Sequence, residues 1–260
     1  MYFLLSKIQN STIDLFMKAK WGKKEYFEEL FFNSSIDDPW RHNWRISQQD
    51  RYCQYLKLLN RFKKKNLRIL DIGCALGDFT VQLKELLQLR EIYAIDISEE
   101  AIRRADLKYR NSGIKFRVGA LPNLEEFKND SFNIVLVLEV LYYLEKEDRI
   151  KALKEIKRIL KEDGFLLISV NINKPPYFKI DEFYNLIDDF FLIKKVEYRY
   201  AKIYSFFERK LLILDRSVFK KLVRYLLSLK VLVSVCQSLT NFTMAERGIT
   251  GMIILAQNKR

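Results

Sequence analysis

Two aspartates and two glycines are spaced as a nucleotide-type ligand would require. Asp71 and Gly73 close an apolar segment, Gly77 follows, and Asp96 lies 25 residues after Asp71. The glycines permit a sharp turn from a strand into a helix, whose free N–H groups favour an anionic group. A carboxylate at the tip of the next strand can accept both hydroxyls of a ribose. The spacing differs from the G-x-G-x-x-G fingerprint of dinucleotide-binding proteins.

The segment Asp71-Ile72-Gly73-Cys74-Ala75-Leu76-Gly77 resembles motif I of the class I S-adenosylmethionine-dependent methyltransferases. The resemblance implies S-adenosylmethionine as cofactor and S-adenosylhomocysteine as product, with Asp71 facing the ammonium group and Asp96 the ribose. The family often has glycine at position 75 and an acid at position 120, so adenine would here be held by backbone groups and apolar packing. The cofactor-binding residues implied are Asp71, Gly73, Cys74, Ala75, Gly77, Asp96, Ile97, Ala120, Leu121 and Glu139.

Two further motifs are similar to the nodulation-type (NodS-like) N-methyltransferase family. They are Asp38-Pro39-Trp40 and the segment from Leu138 to Leu144, which reads LEVLYYL. The resemblance runs from about residue 26 to residue 171. The family usually has a Tyr-Glu pair after the first motif, where this chain has Ser47-Gln48. That family methylates a sugar amine on a chitin-like oligosaccharide, but the resemblance does not imply this substrate, and it leaves open whether an N or an O atom is methylated.

Glu139 is the first candidate for the chemistry of the acceptor. Methyl transfer is an in-line displacement, and an amine or hydroxyl acceptor must also lose a proton. Glu139 follows the fourth predicted strand and is expected to act as base or to orient the acceptor, or alternatively to cap the next helix. Tyr142 and Tyr143 either line the acceptor pocket or belong to the core. His42, the only histidine, reaches the cleft from an N-terminal lid or is structural.

Apolar runs alternate with helical periodicity through the middle of the chain. This alternation predicts a doubly wound, mostly parallel, Rossmann-like sheet of seven strands with helices on both faces. Ser98 is expected to cap the helix after the second strand, and the helix of residues 148–161 is expected to close at Asp163-Gly164. The predicted strands are 67–73, 91–96, 114–118, 132–138, 165–170, 191–200 and 248–256.

The domain organisation follows from this pattern. We expect an N-terminal helical lid over residues 1–66, a cofactor-binding core over 67–200, a helical insertion over 201–247 and a final strand within 248–260. The three cysteines form no CxxC pair and have no histidine nearby, so neither a disulfide scaffold nor a metal site is predicted. An early lysine interrupts the apolar start, no cleavage-like site follows, and no apolar run reaches membrane-spanning length. We therefore expect a cytoplasmic protein.

The net charge of +13 lies on the two flanks. Residues 1–66 carry +6, residues 67–200 carry −1 and residues 201–260 carry +8. Basic flanks favour phosphate, nucleic acid or anionic lipid, although a solvated lysine-rich surface has the same composition. The segment 218–239 predicts an amphipathic helix. It is interpreted as an interfacial helix at the inner face of a membrane, as a lid that also forms a homodimer, or as a helix packed on the sheet.

Three functions agree with these observations. The leading hypothesis is an enzyme that methylates an N or O atom of a small-molecule, glycan or lipid-linked acceptor. The second is an RNA methyltransferase that uses the basic flanks, but the chain lacks the signature of an appended RNA-binding module. The third is a catalytically silent cofactor-binding scaffold, suggested by Ala120 and by Ser47-Gln48.

Overall fold

A seven-stranded sheet organises the protein, in agreement with the predicted Rossmann-like class. The computed structural model describes residues 21–32, 38–39, 45–63, 66–172, 177–200, 235, 238–239 and 248–259. The strand order is β3-β2-β1-β4-β5-β7-β6, and only β7 runs antiparallel to its neighbours. The strands are β1 (Ile69–Ile72), β2 (Ile92–Asp96), β3 (Ile114–Val118), β4 (Phe132–Leu138), β5 (Leu160–Asn171), β6 (Leu192–Arg199) and β7 (Gly251–Gln257).

Helices cover both faces of this sheet. Two of them precede the sheet in the chain, and four follow β1, β2, β4 and β5. The helices are α1 (Lys24–Phe32), α2 (Ile46–Leu59), α3 (Asp78–Leu87), α4 (Glu99–Lys108), α5 (Lys146–Ile159) and α6 (Ile180–Asp188). Ser98 caps α4 as predicted, because its Oγ accepts a hydrogen bond of 3.1 Å from the backbone N–H of Ala101.

The central strand explains why the core has two halves. In β4, Val135 and Val137 point into one apolar cluster, whereas Ile134 and Leu136 point into the cluster on the opposite face. A strand that is buried on both faces has a continuous apolar run, as the sequence shows here. Burial of both faces fixes the position of β4, and with it the position of Glu139 directly after its end.

The boundary between α5 and β5 differs from the prediction. Helix α5 ends at Ile159, and β5 begins at Leu160, so Asp163 and Gly164 lie inside the strand. Asp163 has a positive φ of 59°, and the pairing with β4 shifts its register between Phe132 and Ile134. The Asp-Gly pair therefore makes a local irregularity within a long strand, and it does not end the preceding helix.

Several sequence predictions fall on residues outside the described ranges. They include His42, Trp40 and nearly all of the insertion at 201–247. Within the insertion, Val235, Ser238 and Leu239 are helical and exposed. Among the described residues, no helix has the length and apolar character that a membrane crossing requires. The predicted domain boundaries and the role of segment 218–239 remain predictions.

Candidate cofactor and acceptor site

A cavity of about 360 Å³ lies at the carboxyl ends of the parallel strands. This edge is where doubly wound sheets bind their ligands. Loops after β1 to β5 form its floor, and residues from α1, α2 and the segment before α1 form its opposite wall. The lining residues are Trp21, Gly22, Tyr26, Phe27, Gln48, Arg51, Tyr52, Tyr55, Asp71, Ile72, Gly73, Cys74, Ala75, Phe79, Asp96, Ile97, Gly119, Ala120, Leu121, Leu138, Glu139, Val140, Tyr142, Tyr143, Leu144, Asn171 and Tyr177.

The loop after β1 has the left-handed backbone geometry that its glycines permit. Gly73 has a φ of 79°, and a Cβ atom there would collide with the side chain of Val140. Gly77 has a φ of 76°, and a Cβ atom there would lie 2.7 Å from the ring of Phe116. Ala75 has a φ of 49°, a left-handed conformation that glycine adopts more readily than alanine. Among the predicted cofactor residues, Gly77 alone does not line the cavity, so its contribution is to packing.

Asp96 holds the loop after β1 against the loop after β2. Its carboxylate accepts hydrogen bonds from the backbone N–H groups of Ala75, at 2.9 Å, and Ser98, at 3.0 Å. Each carboxylate oxygen retains a second lone pair that could accept a hydrogen bond from a hydroxyl of a ligand. Burial raises the pKa of Asp96 above its ordinary value, although the backbone donors partly oppose this shift.

Asp71 is buried beneath the same loop. Its Oδ2 accepts a hydrogen bond of 2.6 Å from the hydroxyl of Thr80 in α3. Burial raises the pKa of Asp71 to about 6, the Asp96 carboxylate adds to the increase, and the Thr80 donor opposes it. A carboxylate whose ionisation is this unfavourable would gain from a cationic ligand group beside it.

Glu139 lies at the centre of a buried polar cluster. It has a positive φ of 62°, a conformation that costs about 1–3 kcal/mol in a non-glycine residue and is common at functional sites. Its carboxylate accepts hydrogen bonds from Ser169 at 3.1 Å and Tyr55 at 3.3 Å. Tyr142 lies at the outer limit of hydrogen bonding, with 3.5 Å between its hydroxyl and the carboxylate. Among the predicted acceptor residues, Glu139, Tyr142 and Tyr143 all line the cavity.

Two arginines flank Glu139, and sequence reasoning missed both. Arg51 Nη1 lies 3.5 Å from Glu139 Oε2, and Arg199 Nη2 lies 3.2 Å from Oε1. Burial alone would raise the pKa of Glu139, but the guanidiniums of Arg199 and Arg51, together with the hydrogen bonds from Ser169 and Tyr55, outweigh burial and lower it. A carboxylate with a lowered pKa is a weak base. The geometry therefore favours hydrogen-bond orientation of an acceptor over proton abstraction by Glu139.

The place of Arg199 could have been inferred from the sheet. Strand β6 runs in the same direction as β1 to β5, so its last residue lies at the ligand edge. Arg199 is that last residue, and its Nη2 donates a hydrogen bond of 3.0 Å to Asn171 at the end of β5. The sequence does not single out Arg51 in the same way. Several polar residues of α2 occupy similar positions relative to the apolar face of that helix.

Aromatic side chains close the cavity opposite the sheet. Trp21 and Phe27 pack on Tyr143, with ring centroids 4.8 Å and 5.0 Å apart. Tyr142 and Tyr177 contact each other, with centroids 4.8 Å apart. These contacts place Trp21, before α1, and Phe27 of α1 in the wall of the cavity, and the N-terminal lid over residues 1–66 stays a prediction.

Helix α1 is attached to α4 by a carboxylate. Glu28 accepts hydrogen bonds from the backbone N–H groups of Glu99 and Glu100, at 2.6 Å and 3.2 Å, and from the hydroxyl of Ser98, at 2.9 Å. Lys24 also forms an ion pair with Glu99. A carboxylate at a helix N-terminus compensates for unpaired N–H groups and for the helix dipole. This contact fixes the aromatic wall relative to the loop that carries Asp96.

The metal and motif predictions can be compared with the described residues. Among them, no group of three or more His, Cys, Asp or Glu side chains could hold a metal ion.

Asp38 of the first nodulation-type motif is buried, and Gln48, where the family usually has glutamate, lines the cavity. Cys74 is buried and lines the cavity, whereas Cys53 is exposed.

Comparisons with known proteins agree with this geometry. A family described as a methyltransferase domain matches residues 70–168. Nodulation protein S of Bradyrhizobium diazoefficiens is 31% identical over 112 residues, which are 42% of this chain and 51% of that protein. Nodulation protein S of Sinorhizobium fredii is 30% identical over 143 residues, which are 54% of this chain and 63% of that protein. The chain thus spans about half the length of the first relative and 63% of the second.

A solved structure shows the same fold over most of the chain. The N-methyltransferase NodS of Bradyrhizobium japonicum WM9, solved in complex with S-adenosyl-L-homocysteine, superimposes with a TM-score of 0.58 at 18% identity. The match covers 87% of this chain and 94% of that chain. The matched domain begins in β1 and ends in β5, so it includes Asp71, Asp96 and Glu139. The chain therefore contains a class I S-adenosylmethionine-dependent methyltransferase domain, similar in sequence and fold to the nodulation-type N-methyltransferases.

Proposed function

We propose that the protein transfers the methyl group of S-adenosylmethionine to an N or O atom of a small-molecule, glycan or lipid-linked acceptor. One observation carries the proposal. The two carboxylates expected to bind the cofactor, Asp71 and Asp96, line the same cavity as Glu139, the residue expected to face the acceptor. The nodulation-type relatives support an amine as the acceptor group, because the solved relative is described as an N-methyltransferase.

The residues at the β1–β2 end of the cavity fit the cofactor. Asp71 is a buried carboxylate suited to an ammonium group, and Asp96 is suited to ribose hydroxyls. Ala120 and Leu121 offer backbone groups and apolar surface beside them, as expected for adenine where no acidic side chain is available. Bound S-adenosylmethionine would supply an electrophilic methyl group to this cavity.

The residues after β4 position the acceptor. A buried, ionised Glu139 can accept a hydrogen bond from the N–H or O–H of the acceptor and so aim its lone pair at the methyl group. Tyr142 packs beside Glu139 and limits the orientations that an acceptor can take. In an in-line displacement, such positioning contributes much of the rate acceleration.

Calorimetry with S-adenosylhomocysteine tests the cofactor half of the proposal. Asp96→Ala should weaken binding by roughly 10–150-fold, since a charge-assisted hydrogen bond contributes about 1.5–3 kcal/mol. Asp106→Ala is the matched control, because Asp106 is exposed on α4, the helix that follows Asp96. Equal affinities of Asp96→Ala and the wild type would refute the assignment of Asp96.

Methyl transfer from isotopically labelled cofactor to a cell extract tests the acceptor half. Mass spectrometry should detect a labelled product that forms with the wild type and, at limiting cofactor concentration, more slowly with Asp96→Ala. Pretreatment of the extract with nuclease should leave the product unchanged if the acceptor is a small molecule, glycan or lipid. Loss of the product after nuclease treatment would indicate an RNA methyltransferase, and cofactor binding without any product would indicate a scaffold.

A further inference from the structure

We propose that Arg199 is a positioning residue for methyl transfer, which anchors one carboxylate oxygen of Glu139 so that the other oxygen faces the acceptor. This inference rests on the proposed function, because it concerns the same reaction in the same cavity. It begins from a difference between the two oxygens, Oε1 and Oε2. The groups that donate to Oε1 differ in distance and in place from those that approach Oε2.

The Oε1 atom of Glu139 is held from within the protein. Three donors surround it: Ser169 Oγ at 3.1 Å, Arg199 Nη2 at 3.2 Å and the Tyr55 hydroxyl at 3.3 Å. Among the described residues, Ser169 and Arg199 lie outside the cavity wall, and Ser169 is fully buried. Three donors exceed the two lone pairs of one carboxylate oxygen, so Oε1 has no capacity left for a ligand.

The Oε2 atom has only distant neighbours in the described part of the chain. Arg51 Nη1 and the Tyr142 hydroxyl each lie 3.5 Å from it, at the outer limit of hydrogen bonding. Both of these residues line the cavity, as Glu139 itself does. Oε2 is therefore the oxygen on the cavity side, and its lone pairs can accept a hydrogen bond from an N–H or O–H of the acceptor.

A glycine in the sheet provides the space that Arg199 occupies. Gly251 of β7 pairs with Arg199 of β6 on one side and with Asn171 of β5 on the other. A Cβ atom at Gly251 would collide with the guanidinium, which crosses this position and donates to both Asn171 and Glu139. Glycine in a strand interior often marks such a close approach. Because the guanidinium is the end of a flexible side chain, Gly251→Ala should displace it without unfolding the sheet.

Arg199 also affects the charge of Glu139. Burial raises the pKa of this carboxyl, and Arg199 is the largest of the opposing influences, ahead of Arg51. Loss of the Arg199 charge should therefore raise the pKa of Glu139. The other titratable groups that face Glu139 are tyrosines, whose pKa values burial raises, so they stay neutral near pH 7: Tyr55, Tyr142, Tyr143 and Tyr177.

Strand packing alone is the competing explanation for Arg199, which ends β6. Loss of packing would lower the rate of methyl transfer by a similar factor at every pH. Loss of the anchor should instead lower the rate most at acidic pH, because the ionised form of Glu139 disappears as the pH falls through its raised pKa. Arg199→Lys keeps the positive charge, so its pH profile should lie closer to that of the wild type than the profile of Arg199→Gln.

The first measurement is an NMR titration of the glutamate side-chain carboxyl carbons in the full chain. The signal of Glu139 is identified by its absence from Glu139→Gln. In the wild type this signal should titrate below ordinary glutamates, and Arg199→Gln and Gly251→Ala should each move its midpoint to higher pH. Lys195→Gln is the matched control, because it removes a half-exposed positive charge from the same strand, and it should leave the midpoint unchanged.

The second measurement is the initial rate of methyl transfer to the cell extract at several pH values, with labelled cofactor saturating at each. The rate of each variant is divided by that of the wild type, so the titration of the acceptor itself cancels. Arg199→Gln should slow the transfer by roughly 10–100-fold, with the lowest ratio at acidic pH. Its affinity for S-adenosylhomocysteine should stay within a few-fold of the wild type.

The outcomes separate this inference from the proposed function. An unchanged midpoint of Glu139 in Arg199→Gln, or a rate ratio that is independent of pH, would overturn the inference and leave the proposed function intact. If Arg199→Gln does not fold, Gly251→Ala decides by the same two criteria, since it retains the arginine and displaces only its guanidinium. Failure of the wild type to bind S-adenosylhomocysteine or to form a labelled product would refute the proposed function, and the inference with it.

Discussion

Cofactor binding should depend on pH because of Asp71. Burial raises the pKa of this carboxyl to about 6 from an ordinary value of 3.8, so a large fraction is protonated at pH 5. The ammonium group of the cofactor favours the ionised form, so binding should release a proton from Asp71. Below pH 6 this release opposes binding, and the affinity should rise as the pH increases.

The size of the effect follows from the two pKa values. If the bound cofactor returns the pKa of Asp71 to its ordinary value, the dissociation constant should be about tenfold larger at pH 5 than at pH 7. The amino and carboxyl groups of S-adenosylhomocysteine stay mainly charged across this range, so they contribute little to the change. Two neighbours also affect the pKa of Asp71: Thr80, which donates a hydrogen bond to it, and the carboxylate of Asp96. Neither neighbour is changed in the variants compared below.

Calorimetric titration with S-adenosylhomocysteine at pH 5, 6 and 7 measures this dependence. Asp71→Asn retains the size of the side chain and an acceptor for Thr80, but it cannot titrate, so its affinity should be low and nearly independent of pH. Asp106→Asn, on the exposed side of α4, should keep the pH dependence of the wild type. If Asp71→Asn and the wild type respond equally to pH, Asp71 does not face the ammonium group.

The same shift has a consequence for stability. The folded-state pKa of Asp71 lies above its unfolded value, so the stability linked to this group is complete below pH 3.8 and is lost as the pH rises through about 6. A shift of about two units corresponds to about 3 kcal/mol in the free energy of unfolding. Asp71→Asn should lack this loss, so at pH 7 it should unfold at a higher urea concentration than the wild type. Equal unfolding midpoints at pH 7 would contradict the shift.

The remaining predictions concern the acceptor end, the lid and the basic tail. Glu139→Gln should keep cofactor affinity within a few-fold but slow methyl transfer about 100-fold, because the uncharged amide orients the acceptor less firmly; unchanged turnover at saturating acceptor would exclude this role. Glu28→Ala should destabilise the contact between α1 and α4 by about 1–2 kcal/mol and speed cofactor release in stopped-flow measurements, whereas Glu25→Ala on the exposed side of α1 should not. If segment 218–239 is an interfacial helix, the chain should co-sediment with anionic vesicles at low salt, and Lys220→Glu with Arg224→Glu should reduce this; equal sedimentation of the variant would refute it.

The cofactor end of the cavity could be predicted because its determinants are local. Asp71, Gly73 and Ala75 lie within five consecutive residues, and Asp96 ends the next strand. A turn between a strand and a helix depends on its own residues, so a single segment of sequence determines its geometry. The reason for Gly73 was nevertheless incomplete. The expected reason was a sharp turn from strand to helix, whereas in the structure a Cβ atom there would also collide with Val140.

The acceptor end could not be predicted to the same extent, because its residues come from distant segments. Glu139 was expected from its place at the end of β4, but Arg51 lies in α2 and Arg199 ends β6. Their meeting depends on the strand order, which places β7 between β5 and β6. The sequence predicts a strand around Gly251, yet nothing local to it indicates that a guanidinium must cross its backbone.

The carboxylates at the two ends of the cavity differ in how well the protein stabilises their charge. At one end, burial raises the pKa values of Asp71 and Asp96, so the protein itself stabilises their ionised forms poorly. At the other end, Arg199 and Arg51 lie beside Glu139 and help to lower its pKa, so the protein itself stabilises this carboxylate. A cationic ligand group would therefore stabilise the charge of the aspartates more than that of Glu139. The electrostatics of the cavity thus favour a cationic cofactor beside Asp71 and Asp96 and leave the Glu139 carboxylate ionised as a hydrogen-bond acceptor for the substrate.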